Sequence, residues 1–221
     1  KYKFKYGNFK KIRKNAEFKI RRDNNYIGDV DIHEIYKEIK NQLKINEETM
    51  NDIKNIEIDT DINLMIPRRE MLDIFNRLKA NNKQIIIISD MYYTKDIIEK
   101  IMHKCGYYGY YDILVSSDIG CRKDNGTMWD YFYKKYPNIN SIHVGDNEVS
   151  DIHTNIKLEK PAFHIINGRK AYEMSKLSVD YGNNKDMNII KGLIINKYLF
   201  NSPFSLKTDK EIEIKDLKNY G

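Results

Sequence analysis

The stretch "SIHVGDNEVSDI", residues 141–152, reads as a short apolar strand that stops at Gly145-Asp146 and delivers a second carboxylate, Asp151, five residues later. Two acids at the end of a strand are either turn chemistry or a place to hold a cation. Two other predicted strands also lead into polar residues. "QIIIISD" ends in Ser89-Asp90, and the loop after "DILVSS" carries Lys123 in "CRKDNG". In open α/β sheets, ligands sit beyond the carboxyl ends of the strands. Ser89 and Lys123 are 34 residues apart, and Lys123 and Asp146 are 23 apart, each about one strand–helix repeat. The spacing therefore predicts a hydroxyl, an ammonium and carboxylates on one rim.

Those residue types suit a phosphoryl group and a magnesium ion. A serine hydroxyl and helix N-terminal amides hold phosphoryl oxygens, and a lysine neutralises their charge. Mg²⁺ is usually held by one or two carboxylates together with phosphate and water, a role open to Asp146 and Asp151. Each residue alone has a plainer reading. Ser89-Asp90 is a helix cap, Lys123 a solvated loop lysine, and Gly145-Asp146 a turn. Only their ordered combination carries the chemical reading.

The elements that must position these residues follow from hydrophobic period. Residues 1–66 read as three polar helices. "FKKIRKNAEFKIRR" has Phe9, Ile12, Ala16 and Ile20 at helical spacing, and "DVDIHEIYKEIKNQL" is capped by Asp31. "NEETMNDIKNIEIDTDINLM" starts near Asn46. Three such helices bury little among themselves, so they are expected to lean on another body. From Pro67 the pattern changes. An amphipathic helix, "PRREMLDIFNRLKANNK", leads to the isoleucine run of a buried parallel strand. "TKDIIEKIMHKCG" then reads as a helix capped by Thr94 and stopped at Gly106. "DILVSS", "SIHVGD" and "PAFHII" are further strands, separated by "NGTMWDYFYKKY" and "EVSDIHTNIKL" as helices. This alternation predicts an α/β fold with a doubly wound, Rossmann-like parallel sheet. The expected organisation is a helical subdomain over 1–66, an α/β core over 67–169 and a helical or irregular extension over 170–221. In the extension, "IIKGLIINKYLF" reads as a helix broken by "NSPF".

Composition narrows the classes. A chain of 221 residues, 41% hydrophobic, can bury one core and a small appended subdomain. It has no apolar run long enough to span a membrane and no signal-peptide pattern at its start. Cys105 and Cys121 match no metal or redox motif, so a reduced, cytoplasmic setting is expected. The net charge of +6 is concentrated near the start, where residues 1–22 hold a single acid, Glu17. Such a block suits nucleic acid, an anionic surface or a phosphorylated ligand. However, the whole chain favours Lys, Asn and Ile, so the block follows composition and nucleic-acid binding is not expected. Lys1 is not preceded by Met, and "LKNYG" is no clear stop, so a piece of a longer protein is expected.

Together, "IIIISDMYYTKDIIEKIM", "SSDIGCRKDNGTMWDYF" and "IHVGDNEVSDI" resemble the second, third and fourth motifs of the haloacid dehalogenase (HAD) superfamily. The likeness is greatest to HAD-like domains of bacterial polysaccharide-biosynthesis proteins, often fused to glycosyltransferases. "IRKNAEFKIRR" and "INKYLFNSPF" are similar to flanking segments of that group, so the resemblance runs from about residue 9 to 205. It implies a phosphohydrolase acting on a phosphorylated small molecule or sugar phosphate. Ser89 would hydrogen-bond the phosphoryl group, and Lys123 would stabilise its charge. Asp146 would coordinate Mg²⁺ with support from Asp151, and residues 1–66 would form a cap over the site.

One feature of that family is missing. Its first motif is a strand ending in Asp-x-Asp, whose first carboxylate attacks phosphorus. The candidates are "DVD" (Asp29, Asp31) and "DTD" (Asp59, Asp61). "DVD" has no apolar strand before it. "DTD" lies six residues before Pro67 and continues a Glu-rich helical pattern. The motif is therefore expected upstream of Lys1. Without it the chain would instead be a non-catalytic scaffold or regulator for a glycosyltransferase.

Overall fold

The structure, a computed structural model, describes residues 8–175, 178 and 184–199. The "KYKFKYG" start, the "NSPF" break and the "LKNYG" end lie outside them. Contacts divide the chain into two compact units, residues 1–66 with 78–140 and residues 67–77 with 141–221. Each is described by itself.

Three helices open the first unit: α1 (Phe9–Asp23), α2 (Ile32–Leu43) and α3 (Glu47–Leu64). Each start is sealed by a side chain that accepts an otherwise orphaned N–H: Asn8, Asp31 and Asn46. Asp31 and Glu34 cap α2 reciprocally. α4 (Arg69–Ala80) follows, with only its last turn in this unit. β1 (Ile86–Ser89) and β2 (Asp112–Val115) then pair in parallel, with Ile86 opposite Asp112 and Ser89 opposite Val115. α5 (Lys95–Lys104) connects them. α6 (Ser116–Ile119) and α7 (Thr127–Lys135) follow β2.

The isoleucine run makes sense because both faces of this small sheet are covered. Ile87, Ile113 and Val115 face a core shared with Ala16, Ile35, Tyr36, Ile53 and Ile97. Ile86, Ile88 and Leu114 face Met128 and Phe132 of α7. The first three helices thus lean on the sheet, as their thin apolar faces required. They share one continuous core with β1, β2 and α5.

Two local expectations differ from the structure. Thr94 does not cap α5, since its hydroxyl turns to Asp96. The Lys95 N–H is accepted instead by Asp118 Oδ2 at 2.6 Å, a residue 23 positions away. Ser116 and Ser117 do not extend β2 but begin α6, which ends at Gly120 with φ +73°.

The second unit holds most of α4, then β3 (His143–Gly145), α8 (Thr154–Lys157), β4 (Ala162–His164), α9 (Gly168–Met174) and α10 (Lys185–Ile194). β3 and β4 are parallel, with His143 opposite Ala162 and Gly145 opposite His164. Before α8 the chain turns through a π-type helix, Glu148–His153, where the sequence predicts a continuous α-helix. A second π-type turn, Ile195–Leu199, follows α10. The described residues therefore form a mixed α/β protein with two two-stranded parallel sheets, order β1-β2 and β3-β4. A single doubly wound sheet is not among them. No helix among the described residues is long and apolar enough to cross a membrane.

Candidate functional site

β1 ends at half-buried Ser89, and Asp90 follows as the chain leaves the strand. The Asp90 carboxylate accepts the backbone N–H of Lys123, at 3.0 Å to Oδ2 and 3.2 Å to Oδ1. Lys123 itself is only 9% exposed. Burial raises the Asp90 carboxyl above the ordinary aspartate range. The Lys123 ammonium and N–H oppose that rise, and nearby Asp124 and Asp29 add to it. The polar end of β1 and the Lys123 loop thus meet in the first unit.

Asp29 reaches the same rim from the loop between α1 and α2, which sequence reasoning did not foresee. Its Oδ2 accepts the Ser116 hydroxyl at 2.6 Å. Its Oδ1 accepts from Arg21 at 2.5 Å and from the Val30 N–H at 2.9 Å. Ser116 is fully buried, and its oxygen also accepts the Met91 N–H at 2.8 Å. The one local signal is Gly28, with φ +71°. A Cβ there would stand 2.9 Å from the Gly120 carbonyl oxygen, so a larger residue would be pushed off Gly120.

The segment after Asp90 is held on several sides. The Tyr92 carbonyl accepts the Ile32 N–H at 2.8 Å, and the Tyr93 carbonyl accepts the Ser117 hydroxyl at 2.8 Å. The Tyr93 hydroxyl donates to Asp61 at 2.6 Å, while the Arg13 guanidinium lies 4.6 Å from the Tyr92 ring centre. Burial, and then the bond to Asp61, push the Tyr93 hydroxyl far above its usual pKa. Tyr92 and Tyr93 therefore act as packing residues. Among the tyrosines of residues 107–111, Tyr108 and Tyr111 are exposed, and Tyr108 stacks on His103 at 4.8 Å.

In the second unit, Asp146 is exposed just past the end of β3, and Asp151 is buried at 3% exposure. Asp151 folds back on the strand that precedes it. Its Oδ2 accepts the Asn147 N–H at 3.0 Å, and its Oδ1 lies 3.1 Å from His143 Nε2. A Cβ on Gly145 would come within 2.3 Å of Asp151 Oδ2, so Gly145 makes room for this arrangement. Asp151 shapes the turn, and the turn presents Asp146. Ser89 and Lys123 thus belong to one compact unit, and Asp146 and Asp151 to the other.

Neither Asp-x-Asp candidate ends a strand. Asp59 and Asp61 lie within α3. Asp31 caps α2, and Asp29 is committed to Arg21 and Ser116. Mg²⁺ takes a full set of oxygen donors, one or two of them carboxylates. Asp146 offers one open carboxylate, whereas both oxygens of Asp151 are engaged. Among the described residues, no three His, Cys, Asp or Glu side chains are grouped to hold a metal ion. Taken alone, these residues do not make a complete Mg²⁺ site. Neither a family model nor a curated protein matches the chain.

Proposed function

We propose that this chain is the phosphate-binding part of a HAD-like, Mg²⁺-dependent phosphohydrolase acting on a phosphorylated small molecule or sugar phosphate. The observation that carries the reading is the buried Lys123, tied by its amide to Asp90 at the end of β1. A lysine of this kind is unusual in a solvated loop, because burying an ammonium is costly unless it has charged company. Here the charged company is Asp90, whose own carboxyl in turn feels Asp29 and Asp124. Ser89 stands next to this group and would donate to a phosphoryl oxygen. Lys123 would balance the charge of the same group.

The reading needs one more strand. β1 has a hydrogen-bonded neighbour on one side only among the described residues. A strand ending in Asp-x-Asp and pairing on the open edge of β1 would place the nucleophilic carboxylate beside Ser89. By the resemblance, Asp146 is the carboxylate that would hold Mg²⁺, with Asp151 holding the turn, and the ion would supply Lewis-acid charge neutralisation. Free thiols at Cys105 and Cys121 suit a reduced, cytoplasmic setting, and a fused or associated glycosyltransferase suits the resemblance.

A second reading, a non-catalytic scaffold or regulator of a glycosyltransferase, is favoured by the helical placement of Asp59 and Asp61 and the commitment of Asp29. Turnover separates the two. At its natural length, the protein should release phosphate from an aryl phosphate when Mg²⁺ is present, and Asp146→Ala should abolish that release. A folded natural-length protein that binds phosphate without turning over an ester would be the scaffold.

A further inference from the structure

The Lys123 loop is built as a preformed turn with a long-range tie to the strand beside it. It runs between Gly120 and Gly126, with φ +73° and +88°. Inside it, the Gly126 N–H reaches the Lys123 carbonyl at 3.1 Å, and the Met128 N–H reaches the Arg122 carbonyl at 3.0 Å. Thr127 Oγ1 accepts the Arg122 N–H at 2.9 Å, and Arg122 pairs with Asp124. These bonds fix the shape of the turn, and Cys121 at its start packs in the core shared with β1 and β2. The Asp90 carboxylate ties the turn to the end of β1, reaching across 33 residues with both oxygens toward one N–H.

We propose that Asp90 is the positioning residue of this rim: it docks the Lys123 turn onto β1 and serves as the resident counter-ion of the Lys123 ammonium. This inference rests on the phosphoryl-binding reading for its use, but its geometry stands without it. Docking requires an acceptor at Asp90, which an amide oxygen also supplies. Acting as counter-ion requires the negative charge, which an amide lacks. An arriving phosphate dianion would compete with Asp90 for the same ammonium. The two substitutions at one position therefore act in opposite directions. Asp90→Asn keeps the tie and removes the competitor, whereas Asp90→Ala removes the tie.

The test uses two measurements on the 221-residue chain. Amide hydrogen exchange followed by NMR reads the docking. The Lys123 amide should exchange at least tenfold faster in Asp90→Ala, with Ile113 and Leu114 of β2 unchanged, while Asp90→Asn should retain most of the protection. Titration with inorganic phosphate reads the counter-ion role. Affinity should rise severalfold in Asp90→Asn and fall at least tenfold in Asp90→Ala. Unchanged exchange at Lys123 in Asp90→Ala would overturn the docking. Affinities that move in the same direction in both variants would overturn the counter-ion role. If Asp90→Ala does not fold, Lys123→Met replaces it: removing the ammonium should raise the Asp90 titration further, and an unmoved titration would overturn the proposal. If the wild-type chain binds no phosphate, the phosphoryl reading falls, and the exchange result alone decides whether Asp90 docks the turn.

Discussion

The two parallel strand pairs of this chain are built from similar sequence but solve burial differently. β1–β2 is covered on both faces, and its polar end is tied by hydrogen bonds to residues 23 to 87 positions away. In β3–β4, the facing residues Val144 and Phe163 are 38% and 47% exposed, and the polar end is tied to its own turn and to partners no more than 22 positions away, His164 beside the Asp146 carbonyl and Lys170 on Glu148. The described ties of the first end thus reach further along the chain than those of the second. That division suits the proposed roles. A group that must place a phosphoryl oxygen benefits from a fixed frame, while an exposed carboxylate such as Asp146 stays available to a ligand.

Paired core substitutions should show the largest contrast. Leu114→Ala, on the face of β2 that α7 covers, is expected to cost about 2–5 kcal/mol by urea unfolding. Phe163→Ala should change stability by less than about 1 kcal/mol, because half of its ring is already in water. Equal costs would erase the distinction.

The carboxylates come next. Asp29→Ala leaves buried Ser116 without its 2.6 Å acceptor and Arg21 with Glu17 alone, and should cost about 1–3 kcal/mol. Asp146→Ala, at an exposed position, should stay within about 0.5 kcal/mol in the same unfolding assay.

The contrast also marks what the sequence made legible. The helices with clear apolar faces and the isoleucine strand sit where the period of their residues placed them, because those signals are local. "DVD" was visible as a pair of acids, but Gly28 marks only a tight turn there and does not announce a hydroxyl at residue 116. In the same way Thr94 looked like the cap of α5, yet Asp118 arrives from another loop and takes that N–H. At the second strand end the sequence was more informative. Gly145 and Asp151 are six residues apart, so their contact is nearly local, and only the π-type turn between them was unforeseen.

Gly145→Ala tests that local solution. The new methyl would collide with Asp151, and the cost should be about 1–3 kcal/mol. NMR shifts should change around residues 143–151 and stay constant at β1 and β2.

The smallest effect is a pH dependence. Burial disfavours charge on Asp112 at the start of β2. Even so, hydrogen bonds from Lys135, Tyr136 and Lys95 and from the Ile113 N–H hold its carboxyl well below the ordinary range. A depressed folded-state pKa gives stability that is complete above the ordinary aspartate value and is lost as pH falls below it. Asp90 has the opposite sign. Its raised pKa gives stability present at low pH and lost as pH climbs past the ordinary value. Thermal melts should therefore show Asp112→Asn flattening the acid limb and Asp90→Asn flattening the limb just above it.

The most direct measurement of the central claim is phosphate binding by this chain, followed by ³¹P NMR or calorimetry, in wild type and in Lys123→Met. The account predicts saturable binding by the wild type and at least a tenfold loss in the variant, with the fold of both intact. Absence of binding, or binding that Lys123→Met leaves unchanged, would contradict it.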